Sequence, residues 1–324
     1  MKIGVYSVRE DEIEYIETYG KKYGVQIQLI RQSPVPETVD LATGCQCISI
    51  ITSTYITKEM LDRYKELGVC FISTRTIGME HIDMEYAGQI GIGVDNISYT
   101  PDSVAEYAVM LMLMVLRNTK TVGTRSAGQD YAITKIIRGR LISDLTVGII
   151  GTGKIGARVA GILTGFGCRI LAYDPYRNAA LDGTAEYVDL DTLYRECDVL
   201  TLHTPSTAEN YHMIGGPAFE QMKDQAVLIN TARGDLVDTK ALIAALENGK
   251  LGGAGLDVIE GDRLIYYRDL KGQIIAHHEM AILQFMPNVV VFPHMAFYTD
   301  HSVSDMVGNS IKSCAEYMKS ISDK

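Results

Sequence analysis

The sequence has no apolar run long enough to cross a bilayer. Its longest, Ala108–Leu116, is about half of the ~20 residues that a spanning helix needs. Nor does it start like a signal peptide. MKIGVYSVRE has no long apolar stretch followed by a small-residue cleavage site, and it reads as a first strand. Positive charge is not in excess either. Lys plus Arg number 30 against 40 Asp plus Glu, a formal net charge of −10. Such a chain is a poor candidate for gripping phosphate backbones, so neither nucleic acid nor an anionic membrane is expected as a partner. The six cysteines include no CxxC pair, and several sit in apolar runs such as Val69-Cys70-Phe71-Ile72. They read as buried free thiols in a reducing cytoplasm, and no metal site is expected. Low-complexity linkers, tandem repeats and charged tails are also missing.

What is present is ordinary globular material. The 324 residues are 47% hydrophobic and 22% charged, enough for a sizeable core and about two domains. Short apolar runs alternate with amphipathic runs along nearly the whole chain, which predicts α/β architecture with parallel sheets covered by helices. In the first third the strand candidates are Ile3–Tyr6, Ile27–Ile30, Ile48–Thr52, Val69–Ser73 and Val94–Asn96, with a helix over Thr57–Leu67. A long, almost uniformly apolar helix follows over Pro101–Asn118, with Thr100 as its cap. Such a helix is buried, either between domains or between subunits.

A second series offers Leu145–Ile150, Arg169–Tyr173, Asp198–His203, Ala226–Asn230, Ala254–Val258 and Val289–Phe292. Six strands match a complete dinucleotide-binding sheet. The helical run Ser302–Ser320 is then left over and is expected to pack back on the first domain. The domains predicted are 1–99 plus 299–324, and 100–298.

Gly151-Thr-Gly153-Lys-Ile-Gly156 lies between a strand and a helix. Gly151 suits the tight turn, Gly153 lets a pyrophosphate approach the backbone, and Gly156 allows helix to pack on strand. The helix start supplies free amides and the positive end of its dipole. Asp174 closes the next strand, 18 residues after Gly156. A carboxylate there accepts two hydrogen bonds from the ribose hydroxyls and repels a 2′-phosphate, favouring NAD over NADP. Arg177, three residues on, softens that preference.

Three later strands each end beside a polar group: Arg233 after Ala226–Asn230, the acids Asp257, Glu260 and Asp262, and His294 after Val289–Phe292. Strand carboxyl ends line the ligand crevice of such sheets. Reduction of a 2-keto acid leaves an alkoxide to be protonated, which suits a histidine. A carboxylate beside it raises the imidazole pKa and orients the ring. An arginine clamps the substrate carboxylate with two parallel hydrogen bonds.

On these residues the chain resembles the D-isomer-specific 2-hydroxyacid dehydrogenase family along essentially its whole length. The motifs that carry the resemblance are Ser73–Asp83, Tyr99–Glu106, Gly151–Gly156, Asn230–Gly234, Leu256–Val258 and Pro293-His294. The stretch from Glu260 to Tyr298 is most similar to D-lactate dehydrogenases of the vancomycin-resistance type. The resemblance implies a Rossmann NAD domain inserted into a flavodoxin-like substrate domain; the apolar helix Pro101–Asn118 makes a homodimer the expected assembly, in the cytoplasm that the cysteines indicate. It implies Arg233 on the substrate carboxylate and His294 as acid–base. Lys154 and Ile155 would serve the pyrophosphate, and Thr204, Pro205, Asn210, Thr231 and Ala232 would line the cofactor site. Asp257 would contact the nicotinamide amide. Ile77 and Gly78 would offer amides to the substrate, with Tyr99 and Tyr298 near it. One departure is Asp262, where the family usually has Glu. It is shorter by ~1.5 Å, one carbon–carbon bond, and Glu260 is the alternative partner of His294. A second is Ser98, where many relatives have Pro. The reaction expected is pyruvate to D-lactate. The alternatives are a larger branched or aromatic 2-keto acid, or an idle NAD-sensing scaffold.

Overall fold

The computed structural model describes residues 1–52 and 54–322. The chain forms two compact units, Met1–Thr100 with Tyr298–Lys324, and Pro101–Phe297. Asp323 and Lys324, which the domain expectation included, lie outside the described residues.

The first unit holds five strands: β1 (Lys2–Val5), β2 (Gln26–Leu29), β3 (Cys47–Ile50), β4 (Phe71–Thr74) and β5 (Gly93–Asn96). They run parallel in the order β2-β1-β3-β4-β5, a flavodoxin-like order. All four residues of β3 and of β4 are buried, as expected of central parallel strands covered on both faces. Ile3, Val5, Cys47 and Phe71 meet Val307, Ile311 and Cys314 of the helix Asp300–Ser322 on one face. Ile48, Ile50 and Ile72 meet Met60, Leu61 and Tyr64 of the helix Lys58–Glu66 on the other. Thr57 caps that helix, its side chain accepting from the Met60 amide.

The second unit holds β6 (Thr146–Ile150), β7 (Arg169–Tyr173), β8 (Glu186–Tyr187), β9 (Val199–Leu202), β10 (Ala226–Asn230), β11 (Leu251–Leu256) and β12 (Val289–Val291). Their order, β12-β11-β10-β9-β6-β7-β8, is all parallel. It is the doubly wound order with the switch point between β6 and β9. The sequence reading missed β8, because two residues carry no periodic signal.

The apolar helix spans Asp102–Leu116, and Pro101, not Thr100, flanks its start. The Thr100 amide instead donates to Asp305 Oδ2. Sequence left open whether this helix lies between domains or between subunits. Its Ala105, Ala108, Leu111, Met112 and Val115 pack with Val147, Ile149, Val227, Ile229 and Val290 on the face of the second sheet.

Candidate active site

At the end of β6 the chain turns through Gly151, whose φ is +91°, a left-handed value that costs glycine little. A Cβ there would stand 2.6 Å from the His203 carbonyl. A Cβ on Gly156 would stand 1.9 Å from the Gly151 oxygen, so helix and turn touch backbone to backbone. A Cβ on Gly153 would meet nothing within 4 Å. The space above Gly153 is open, at the start of the helix Lys154–Thr164, which no side chain caps. The first amides of a helix have no partner within it, so those of Lys154 and Ile155 are available to an anion.

Thr152, between the glycines, is held from several sides. Its amide donates to Asp174 Oδ2 at 2.6 Å and its hydroxyl to the same oxygen at 3.2 Å. Asp174 Oδ1 accepts from the Tyr176 amide at 2.8 Å. Of about four acceptor sites on a carboxylate, one is left for a ligand, where the sequence reading had given Asp174 two ribose hydroxyls. Arg177 is engaged by Asp182 and lies over the Tyr187 ring.

Farther along the cofactor expectations, Pro205 and Asn210 share one loop. Asn210 Nδ2 donates to the Pro205 carbonyl, and its Oδ1 accepts from the Thr207 amide. The Thr204 amide would lie 2.8 Å from a Cβ on Gly151. Thr231 Oγ1 is buried and without a hydrogen-bond partner, a cost that a ligand would remove. The open cradle at Gly153, the uncapped helix start and this unsatisfied hydroxyl fit a dinucleotide.

On the other side of the switch point, Asn230 closes β10 and organises the turn that follows. Its Oδ1 accepts from the Ala232 amide at 3.0 Å, and its Nδ2 donates to the Arg233 carbonyl at 2.8 Å. Arg233 Nη1 donates to the Ala232 carbonyl. A Cβ on Gly234 would stand 2.3 Å from the Ile259 carbonyl, so the arginine turn presses against the acid-bearing loop after β11.

Asp257 in that loop is fully buried. Its carboxylate accepts from the Met295 amide at 2.8 Å and the Ala296 amide at 2.9 Å, and its carbonyl accepts from the His294 amide at 2.7 Å. It therefore anchors the loop that presents His294, a role the sequence reading did not assign. His294 itself has φ +56°, an uncommon conformation for a residue with a side chain. Tyr267 closes over it, donating to the His294 carbonyl at 2.9 Å.

The acid expected beside His294 is placed otherwise. Asp262 Oδ2 accepts from the Ile259 amide at 3.1 Å, and no hydrogen bond joins it to His294. The Glu260 carboxylate receives the Tyr211 hydroxyl and contacts His212 Nε2, both at 2.9 Å. His294 consequently shifts in the direction opposite to that expected. Burial, with the charge of Arg233 in support, pushes it down to about 4. Burial pushes Asp257 and Asp262 up to about 6. The Tyr266 hydroxyl beside them is buried without a hydrogen-bond partner.

The four substrate expectations outside this sheet fall in the first unit. The Ile77 carbonyl accepts from Asn96 Nδ2 and the Gly78 carbonyl from Thr76 Oγ1, which fixes their turn. Tyr298 donates to Asp11 Oδ2 at 2.9 Å, with the Arg9 guanidinium over its ring. Tyr99 is half-buried after β5.

Residues 109–296 match the family model of the D-isomer-specific 2-hydroxyacid dehydrogenase NAD-binding domain. The chain is 41% identical over 315 residues to a D-specific alpha-keto acid dehydrogenase of Enterococcus faecium, covering 97% of this chain and 96% of that one. It is 39% identical to an aromatic 2-oxoacid reductase of Clostridium sporogenes, covering 98% and 96%. Among solved structures it is similar to D-lactate dehydrogenase with NAD+ from Lactobacillus jensenii, with a TM-score of 0.85, 32% identity, and 98% and 97% coverage.

Proposed function

The chain belongs to the D-isomer-specific 2-hydroxyacid dehydrogenase family, and on that premise we propose that it reduces pyruvate to D-lactate. It is an NAD-dependent oxidoreductase acting on 2-keto and 2-hydroxy acids. The observation that carries the assignment of roles is the pairing of Arg233 with His294. They follow β10 and β12, and the cation of one acts on the half-buried imidazole of the other.

NADH, when bound, supplies the hydride for the keto carbon. Gly151, Gly153, Lys154, Ile155 and Gly156 hold its pyrophosphate and Asp174 its adenosine ribose. Thr204, Pro205, Asn210, Thr231 and Ala232 would line its site, and Asp257 would contact its nicotinamide amide. Arg233 binds the substrate carboxylate through parallel N–H donors. Ile77 and Gly78 offer amides, and Tyr99 and Tyr298 bound the substrate. His294 delivers the proton to the carbonyl oxygen. In the ligand-free chain burial first, and repulsion by the Arg233 charge second, keep His294 neutral at pH 7. An anionic substrate on Arg233 cancels that repulsion, which raises His294 and eases its protonation as the substrate arrives. Asp262 acts through its charge on Arg233.

The test is the rate of NADH and NADPH oxidation across a panel of 2-keto acids, with chiral analysis of the product. Pyruvate should be among the fastest and yield the D isomer. Highest rates with phenylpyruvate would transfer the assignment to an aromatic 2-keto acid, a reading favoured by the 39% identity to the aromatic 2-oxoacid reductase. No oxidation with any of them would leave an NAD-sensing scaffold.

The working unit we propose is a cytoplasmic homodimer. Tyr131, Ile133 and Ile136 are 76%, 96% and 72% exposed on one segment before β6, and such clustered apolar exposure marks a contact surface. The six free cysteines suit a reducing compartment. No helix among the described residues is long and apolar enough to cross a membrane. Ile133→Asp should shift the sedimentation of the chain from dimer to monomer.

A further inference from the structure

The loop that meets the pyrophosphate carries a second feature, invisible in the glycine pattern. All the polar atoms of Thr152 are engaged. Its amide and hydroxyl go to Asp174 Oδ2, and its carbonyl accepts from Asn178 Nδ2 at 2.8 Å. Its hydroxyl oxygen also accepts from the Tyr187 hydroxyl at 2.9 Å. The Tyr187 oxygen in turn accepts from the Asn178 amide at 2.9 Å. A phenol has one proton to give, and the 2.9 Å contact with Thr152 outcompetes the 3.4 Å contact with the Asn178 carbonyl. The donors therefore run one way: Asn178 amide to Tyr187 hydroxyl, Tyr187 to Thr152, and Thr152 to Asp174. Thr152 is 1% exposed, so an unmet hydroxyl there is costly. Asn178 is fixed as well, its Oδ1 accepting from the Ala180 amide at 3.0 Å. Tyr187 is half of the two-residue strand β8, which pairs with β7 and so holds the phenol against the turn.

We propose that Tyr187, acting through the Thr152 hydroxyl, is a positioning residue for cofactor selection: it locks the Asp174 carboxylate with one fixed acceptor site for a ribose hydroxyl. The lock saturates Oδ2 and leaves a single site on Oδ1, beside the donor from Tyr176. A carboxylate free to turn would offer either oxygen, or swing aside for a 2′-phosphate. A locked one accepts a hydroxyl hydrogen and opposes the phosphate with a fixed negative charge. The short strand β8 thus has work to do in telling NADH from NADPH. The proposal rests on the placement of the adenosine ribose at Asp174.

The experiment is titration of the ligand-free enzyme with NADH and with NADPH, by calorimetry and by the rise in nicotinamide fluorescence. The latter is unobscured because the chain has no tryptophan. Tyr187→Phe and Thr152→Val should each weaken NADH binding by roughly 10-fold, the loss of one well-placed hydrogen bond. Each should weaken NADPH binding less, so that the preference for NADH falls. In steady state the change should appear in the KM for NADH and not in kcat. Thr152→Ser keeps the hydroxyl and should bind as wild type. The Tyr187→Phe, Thr152→Val double variant should be no worse than either single, because both break one chain of bonds. A merely structural role would lower Tm and leave the ratio of NADH to NADPH affinity where it was, and that result overturns the proposal. So does wild-type affinity for both cofactors in Thr152→Val. Asp174→Ala separates the two levels. If it leaves NADH binding unchanged, the ribose placement itself is wrong. If it weakens binding while Tyr187→Phe and Thr152→Val do not, only the lock fails.

Discussion

The two halves of the seven-stranded sheet are built to different ends. Around β6, β7 and β8 every polar atom of Thr152 has a partner. Positive φ there falls only on glycines, Gly151, Gly167 and Gly183, which tolerate it. Around β10, β11 and β12 the reverse holds. His294 sits at positive φ, two buried carboxyls are pushed up to about 6, and the imidazole is pushed down to about 4. A phenol and a threonine hydroxyl lie buried without hydrogen bonds. On the proposed assignment, the side chains of the Thr152 turn are satisfied before any nucleotide arrives, whereas the β10–β12 side would await an anion and a proton. Binding is best served by rigid, satisfied polar groups, and proton transfer by groups whose charge a substrate can change.

Several measurements would break or sharpen this contrast. The largest effects belong to the catalytic half. His294→Ala and Arg233→Ala should each lower kcat/KM at least ~100-fold, about 2.7 kcal/mol of transition-state stabilisation. Near-normal turnover in either would remove that half from the chemistry.

On the nucleotide half, Gly156→Ala should be destabilising by about 1–3 kcal/mol, the usual cost of overpacking. Its Cβ would have to displace the Gly151 carbonyl. Gly153→Ala should leave Tm unchanged, since its Cβ meets only open space, yet weaken NADH by roughly 10-fold by filling the cradle. Equal behaviour of the two variants in thermal unfolding would show that the cradle is not preformed.

Asp257→Asn replaces an acceptor of two amides by a group with one acceptor oxygen. The His294 loop should loosen, lowering kcat about 10-fold with NADH affinity little changed. A loss confined to NADH affinity would mean that Asp257 serves the cofactor and not the loop.

The smallest effect is a fraction of a proton. Oxamate, an unreactive anion of similar shape to pyruvate, should bind the NADH complex with net proton uptake at pH values just above about 4. The sign follows from His294, which burial and the Arg233 charge hold at about 4 in the free chain and which rises once the Arg233 charge is neutralised, the burial remaining. Calorimetry in buffers of different ionisation enthalpy reads it directly, and proton release would contradict the coupling.

The legibility of the sequence divides along the same line. Gly151, Gly153 and Gly156 could be read because each glycine answers a steric demand within a few residues. The strand ends that carry Arg233 and His294 could be read from apolar runs that stop at polar groups. The anchoring role of Asp257 could not be read, because nothing in its neighbours says that the amides of Met295 and Ala296, nearly forty residues on, fold onto it. Position in the sequence favoured Asp262 over Glu260 as the partner of His294, and the structure joins neither to it by a hydrogen bond. Their choice depends on Ile259 and His212, which the fold alone brings near.

The sequence by itself determined the alternation of strands and helices, the dinucleotide turn and the family. These are set by local sterics and by hydrophobic periodicity, both short in range. Only the tertiary structure decided the rest: that the apolar helix covers the second sheet, that Tyr187 holds Thr152, and that burial and Arg233 drive His294 below its ordinary pKa. Hydrogen bonds between distant segments and the desolvation of a charge depend on what the whole chain packs around a group, and neither is written beside it.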